Sequence, residues 1–162
     1  MSKFFPKLHV DALCDINIDE MKKAGITAFL CDIDNTMAIT KAEFPSDEVV
    51  EWVREAQEKG FKVCLVSNNN KKRVSKFAEP LGVPYVYRAM KPLVGGYIKA
   101  IKILNIEPSK ACMVGDQIFT DIWGANRVGM YSVLVNRLSQ KESFLSLWKR
   151  PFEKMVMKKW KN

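Results

Sequence analysis

The chain reads as an α/β protein, a Rossmann-like three-layer sandwich with a mainly parallel five-stranded sheet covered by helices on both faces. Two observations predict this. Five short apolar runs alternate with segments whose apolar residues recur at helical spacing, and strands buried on both faces are characteristic of parallel sheets. The runs also close on polar groups: carboxylates follow the first and fourth, and a hydroxyl and amides the second. In such sheets, ligands bind beyond the carboxyl ends of the strands.

Phe4-Phe5-Pro6 opens the chain, and Val10, Leu13, Ile16 and Ile18 lead into a short helical piece through Lys23 that Gly25 stops. This segment is expected to pack against the sheet edge or a surface. Ile26 to Asp32 reads as the first strand. Pro45-Ser46-Asp47 starts a helix that Ser46 or Asp47 can cap; Val49, Val50, Trp52, Val53 and Ala56 form its apolar face, and Gly60 ends it. Phe61 to Val66 is the second strand, closed by Ser67-Asn68-Asn69-Asn70, and a basic helix follows from Lys71 to about Leu81. Pro84 to Tyr87 forms a third strand, with Lys91-Pro92 and a helix from Leu93 to Leu104 behind it. The fourth strand, Ala111 to Val114, runs into Gly115-Asp116; a helix around Ile118 to Val128 and a fifth strand from Tyr131 to Val135 complete the sheet. Trp52 and Trp123 are expected in the core.

Chemistry concentrates at Phe29-Leu30-Cys31-Asp32-Ile33-Asp34-Asn35-Thr36, an apolar run ending in two carboxylates two residues apart. On an extended chain such residues face the same way, so Asp32 and Asp34 can converge on one point, where a divalent cation would offset their repulsion. Asp-x-Asp-Asn is also good turn chemistry, because Asx side chains bond their own backbone. Taken alone, the stretch fits either reading. Ser67, Asn68 and Asp116 at two further strand ends, with Lys91 after a third, supply partners for the first.

Composition excludes several classes. No apolar run approaches the roughly 20 residues that span a bilayer, and the N-terminus lacks the apolar core and cleavage site of a signal peptide, so a cytoplasmic location is expected. Cys14, Cys31, Cys64 and Cys112 form no Cys-x-x-Cys pair and read as reduced core residues, while His9, the only histidine, reads as structural or exposed. The net charge of +8 is lopsided: from Arg137 onward there are eight basic and two acidic residues. The basicity belongs to a tail at residues 139–162 and not to the domain at 1–138.

The order and context of these residues resemble the haloacid dehalogenase superfamily of phosphoryl-transfer enzymes. Its four motifs correspond to Asp32-Ile33-Asp34-Asn35-Thr36, Ser67, Lys91, and Gly115-Asp116 with Asp121. Asp32-Ile-Asp-Asn-Thr, Ser67-Asn-Asn, Ala89-Met-Lys-Pro and Gly115-Asp-Gln-Ile-Phe-Thr-Asp-Ile-Trp-Gly are similar to its capless, YqeG-type, phosphatidylglycerophosphatase-like branch. The likeness implies Asp32 as nucleophile and Asp34 as acid and base. Thr36, Ser67, Asn68 and Lys91 would bind phosphate, and Mg²⁺ would be held by Asp32, Asp34 (through its backbone carbonyl), Asp116 and Asp121. Arg73, close behind Ser67, is a candidate for a second anionic group on the substrate.

Superfamily caps are inserted after the first motif or between the second and third. Both intervals are too short for one here, which leaves an open site able to accept a large or membrane-embedded substrate. The expected substrate is phosphatidylglycerophosphate, with a soluble phospho-sugar, nucleotide or phosphoprotein, or a non-catalytic scaffold, as alternatives. Phe144, Leu145, Leu147 and Trp148, then Phe152, Met155, Val156 and Trp160 after Pro151, stand at near-helical spacing among lysines. Such a tail is suited to an anionic bilayer interface at the inner membrane face, or else to packing on the domain or a second subunit. No nucleic-acid partner is expected, because no binding module accompanies the charge.

Overall fold

A computed structural model describes residues 2–139 and 150–161. Its sheet has six parallel strands in the order β1-β6-β5-β2-β3-β4: β1 (Leu8–Val10), β2 (Ala28–Cys31), β3 (Lys62–Val66), β4 (Tyr85–Val86), β5 (Ala111–Gly115) and β6 (Tyr131–Val135). The expected five are present, and β1 is the addition. Its three residues are only half-buried, which leaves no periodic signature; Lys7 N donating to Ser132 O at 2.9 Å and pairing along β6 hold it at the edge.

Six helices accompany the strands among the described residues: α1 (Ile18–Lys23), α2 (Asp47–Glu58), α3 (Lys71–Ala78), α4 (Gly95–Leu104), α5 (Trp123–Val128) and α6 (Arg150–Lys161). Local chemistry sets their starts. Asn17, Ser46 and Asn70 each accept a backbone N–H of the first turn through the side chain. The basic helix expected to reach Leu81 closes at Ala78 and continues as a single tighter turn, Glu79–Leu81. The helix expected from Ile118 begins as a wide turn with i→i+5 bonding, Ile118–Ile122, before becoming regular at Trp123.

Alternation along the central strands makes the three layers. Phe29, Cys31, Val63, Leu65, Cys112 and Val114 face α1, α2 and α3, where Met21, Trp52, Val53 and Phe77 are buried. The intervening Ala28, Leu30, Cys64, Val66, Ala111 and Met113 face Tyr97, Ala100 and Leu104 of α4 and Ala125 of α5. Trp123, at the start of α5, is half-buried and stacks on Phe4.

Helix α6 closes a third, smaller cluster. Val156 is fully buried with Ile118, Ile122 and Leu134, and Phe152 packs edge-on against Phe4. Its apolar stripe therefore faces the body of the protein, while Lys154, Lys158, Lys159 and Lys161 are exposed. The tail residues Phe144, Leu145, Leu147 and Trp148 lie outside the described residues. No described helix is long and apolar enough to cross a membrane.

Candidate active site

The strand order places β2 between β5 and β3, and the chain moves out to β4 before returning to β5 on the other side of β2. A crevice opens at such a reversal, beyond the carboxyl ends of the two strands that flank it. Asp32 leaves β2 and Asp116 leaves β5 at that point, with Asp32 N donating to Val114 O at 3.0 Å. The register Cys31↔Val114 and Cys31↔Leu65 brings the residues after β3 alongside as well.

A buried lysine organises the floor. Lys91 Nζ lies 2.6 Å from Asp32 Oδ1 and 2.8 Å from Asp121 Oδ1. Asn68 aligns the Lys91 backbone from both sides, accepting its N–H at 2.7 Å and donating to its carbonyl at 3.2 Å. Thr36 Oγ1 spans Asp32 Oδ2 at 3.5 Å and Asp116 Oδ1 at 3.4 Å. Ser67 is buried at the end of β3, and its Oγ accepts Asn69 N at 3.2 Å. Gly115 is required here, because a Cβ at that position would fall on the Asp121 carboxylate. Asp121 is fully buried, and Gln117 N donates to its Oδ2 at 3.1 Å, so both its oxygens are engaged by protein donors.

Asp34 points elsewhere. Asn69 Nδ2 donates to its Oδ2, and Arg73 Nη2 lies 3.2 Å from its Oδ1. The candidate substrate cation Arg73 is thus placed against the carboxylate of Asp34, with its guanidinium carbon 5.5 Å from the centre of the Phe77 ring. The Asp34 side chain faces Asn69 and Arg73 and is not among the carboxylates that cluster, Asp32, Asp116 and Asp121.

Charge in this crevice is crowded. Burial pushes the Asp32 carboxyl up to about 7; Asp121 and Asp34 add to the rise, and Lys91 opposes it. Burial, then Asp121 and Asp32, raise Asp116 well above the ordinary carboxylate range, against Arg137 and Lys91. Burial also works against the Lys91 ammonium, but Asp121 and Asp32 outweigh it and hold that pKa above its usual value. Ligand oxygens of Asp32, Asp116 and Asp121 lie within 4.8 Å of one another. Three buried carboxylates whose repulsion survives a neighbouring lysine fit a divalent cation, and an all-oxygen set suits Mg²⁺.

Three residues of the site were not singled out in the sequence. Asn69 on Asp34 stood within the quoted Ser-Asn-Asn run, a signal that could have found it. Arg137, with Nε 3.2 Å from Asp116 Oδ2 and Nη2 3.3 Å from Glu153 Oε2, reaches the crevice only because β6 lies beside β5. Glu153 comes from α6, and its Oε1 accepts Ile118 N at 3.3 Å. No local pattern marks either.

Comparison with known proteins agrees with this geometry. A family model described as haloacid dehalogenase-like hydrolase matches residues 4–129. The chain is 32% identical over 158 residues to a probable phosphatase, YqeG, of Bacillus subtilis, covering 97% of this chain and 92% of that one. It is 28% identical over 139 residues to a glyceraldehyde 3-phosphate phosphatase of Methanopyrus kandleri, covering 80% and 58%. With phosphatidylglycerophosphate phosphatase 1 of Arabidopsis thaliana it shares 26% identity over 170 residues, 96% of this chain and 47% of the relative. Among solved structures, 3-deoxy-D-manno-octulosonate 8-phosphate phosphatase of Moraxella catarrhalis, crystallised with magnesium and phosphate, superposes with a TM-score of 0.54 at 16% identity, over 76% and 77% of the chains. Between Asp34 and β3 there is only α2, and between β3 and Lys91 only α3 and the short β4, so neither interval carries a cap. The chain therefore belongs to the haloacid dehalogenase-like hydrolases, as a capless phosphatase of that family.

Proposed function

We propose that the protein is a Mg²⁺-dependent phosphomonoesterase that works through an aspartyl-phosphate on Asp32 and acts on phosphatidylglycerophosphate. The observation that carries the chemistry is the buried Asp32 carboxylate, held by Lys91 beside Asp116 and Asp121 at the mouth of the strand-end crevice. In the first step an Asp32 oxygen attacks phosphorus in line with the ester oxygen, and the P–O ester bond breaks. Asp34 is the acid that supplies a proton to the departing alkoxide. Water then attacks the aspartyl-phosphate and loses its proton to Asp34. The bond to Asp32 breaks, phosphate leaves and the carboxylate is restored.

Lys91, tied to Asp121, fixes Asp32 and neutralises the incoming phosphoryl oxygens, with Ser67, Thr36 and the Asn68 segment lining their path. Asn69 and Arg73 hold Asp34 in one orientation for both proton transfers. Asp32, Asp116 and the Asp34 carbonyl are the residues to hold Mg²⁺, with Asp121 steadying the set through Lys91. When bound, the ion shields the anionic nucleophile from the anionic substrate.

The lipid substrate is supported by the capless crevice and by likeness over 96% of the chain to a phosphatidylglycerophosphate phosphatase. A soluble phosphorylated triose is the second reading, favoured by the 28% identity to glyceraldehyde 3-phosphate phosphatase. Hydrolysis of an aryl phosphate that needs Mg²⁺, stops with EDTA and is lost in Asp32→Asn tests the chemistry. A panel of phosphatidylglycerophosphate in mixed micelles beside glyceraldehyde 3-phosphate and sugar phosphates decides the substrate. A kcat/KM for any soluble ester above that for the lipid overturns the lipid reading.

A further inference from the structure

Two of the most exposed large apolar side chains stand on either side of Lys91-Pro92: Met90 is 65% and Leu93 54% accessible. Lys91 turns inward to Asp32, whereas Met90 and Leu93 line a groove of about 440 Å³ on the other side of the same loop. This groove runs between the end of the edge strand β4 and the start of α4. Arg88, Lys99 and Arg127 are also in its wall, and no described lining residue is a carboxylate.

Among the described residues none of the three cations pairs with a carboxylate, and Arg88 is exposed. Lys99 Nζ sits 5.8 Å from the centre of the Tyr87 ring, and the Arg127 guanidinium 4.9 Å from that of Trp123. Arg127 Nη1 also donates to Pro92 O at 3.4 Å. Ring faces and a carbonyl orient positive charge but leave it available to an external anion, which acidic partners would not. An exposed Met–Leu pair beside unneutralised cations matches a ligand that is apolar at one end and anionic at the other. A small sugar phosphate has no part for the Met–Leu pair.

We propose that this groove seats an anionic phospholipid at a bilayer surface, with Met90 and Leu93 among the glycerol and first acyl carbons and Arg88, Lys99 and Arg127 on lipid phosphates. The proposal rests on the phosphatase reading of the adjoining crevice, because it gives that crevice a membrane-borne substrate. It also assigns membrane contact to the β4–α4 side and not to α6, whose apolar stripe is covered by Phe4, Ile118 and Leu134.

Flotation of the full chain with phosphatidylcholine vesicles, with and without phosphatidylglycerol, tests it. Wild type is expected to float only with the anionic vesicles. Met90→Asp combined with Leu93→Asp should lower the partition coefficient at least about tenfold, since both side chains leave the apolar phase. Lys99→Glu should lower it about fivefold or more. Lys110→Glu makes the same charge change at the opposite, amino edge of the sheet and should stay within about twofold of wild type. Circular dichroism of each variant keeps loss of fold separate from loss of binding. The proposal is overturned if wild type floats with neither vesicle or with both alike, if the double variant floats as wild type does, or if Lys99→Glu and Lys110→Glu act equally. Flotation needs no turnover and aryl phosphate hydrolysis needs no vesicle, so failure of this proposal and failure of the phosphatase reading give different results.

Discussion

Replacing Lys91 by Met keeps most of the side-chain volume and removes the ammonium that touches Asp32 at 2.6 Å and Asp121 at 2.8 Å. Breaking a buried ion pair from one side costs about 3–5 kcal/mol, because the abandoned carboxylate stays desolvated. Here two carboxylates are abandoned, but they can take up protons, so the lower end, about 3 kcal/mol, applies near neutral pH. For a chain of this length that corresponds to a fall in Tm of roughly 6–12 °C. The sign of the pH dependence follows from Asp32, whose carboxyl is raised from 3.8 to about 7 on folding. Between those values the folded state binds more protons than the unfolded one, so stability from this group falls as pH rises through the window. Without Lys91 the carboxyl rises further, the window widens upward, and the variant's deficit should grow from pH 5.5 to pH 8. Differential scanning calorimetry in EDTA at both values measures this. A Lys91→Met protein as stable as wild type at pH 8, or one whose deficit shrinks with rising pH, refutes the electrostatic account of the floor.

Four further outcomes are expected. In Gly115→Ala the new methyl meets the Asp121 carboxylate, so urea denaturation should show a loss of about 1–3 kcal/mol and aryl phosphate turnover should nearly vanish. Tyr97→Phe removes the buried hydroxyl that donates to Thr120 O and should cost about 1–3 kcal/mol in the same assay, with little change in KM. Arg73→Ala frees one side of Asp34, so steady-state kinetics should show a lower kcat with KM nearly unchanged; a raised KM at constant kcat would mean that Arg73 binds substrate instead. Saturating Mg²⁺ at about 100 times its Kd should stabilise wild type by about 2.7 kcal/mol, read as a rise in Tm, and Asp116→Asn should abolish the rise.

The central strands were legible because both faces of each are buried. Leu30 and Cys31 are adjacent yet belong to different cores, so the run is apolar without alternation. The same logic made β1 invisible, since Leu8, His9 and Val10 are half-buried at an edge. The wide turn at Ile118 escaped notice for another reason. It accompanies the return of Asp121 to Gln117 N and Lys91 Nζ, tertiary contacts that helical periodicity does not record. Asp32, Ser67 and Asp116 could be singled out because each follows an apolar run, and Lys91 through its place in the order of the four motifs. Arg137 meets Asp116 only through the β5–β6 pairing.

That pairing order also bears on how the chain emerges from a ribosome. Among the described residues β6 is the only strand partner of β1, so Leu8 must wait for Val133 before its ladder can form. By then β2, β3 and β4 have been synthesised, and β5 has followed to join β2 from the other side. Local contacts can therefore assemble the half of the sheet beyond β2 first, while closing the β1 edge requires a loop more than a hundred residues long. Until Phe152 and Val156 of α6 clear the exit tunnel, Phe4 and Phe5 remain without their final cover. Until then they add to the apolar surface open to chaperones and to aggregation during synthesis.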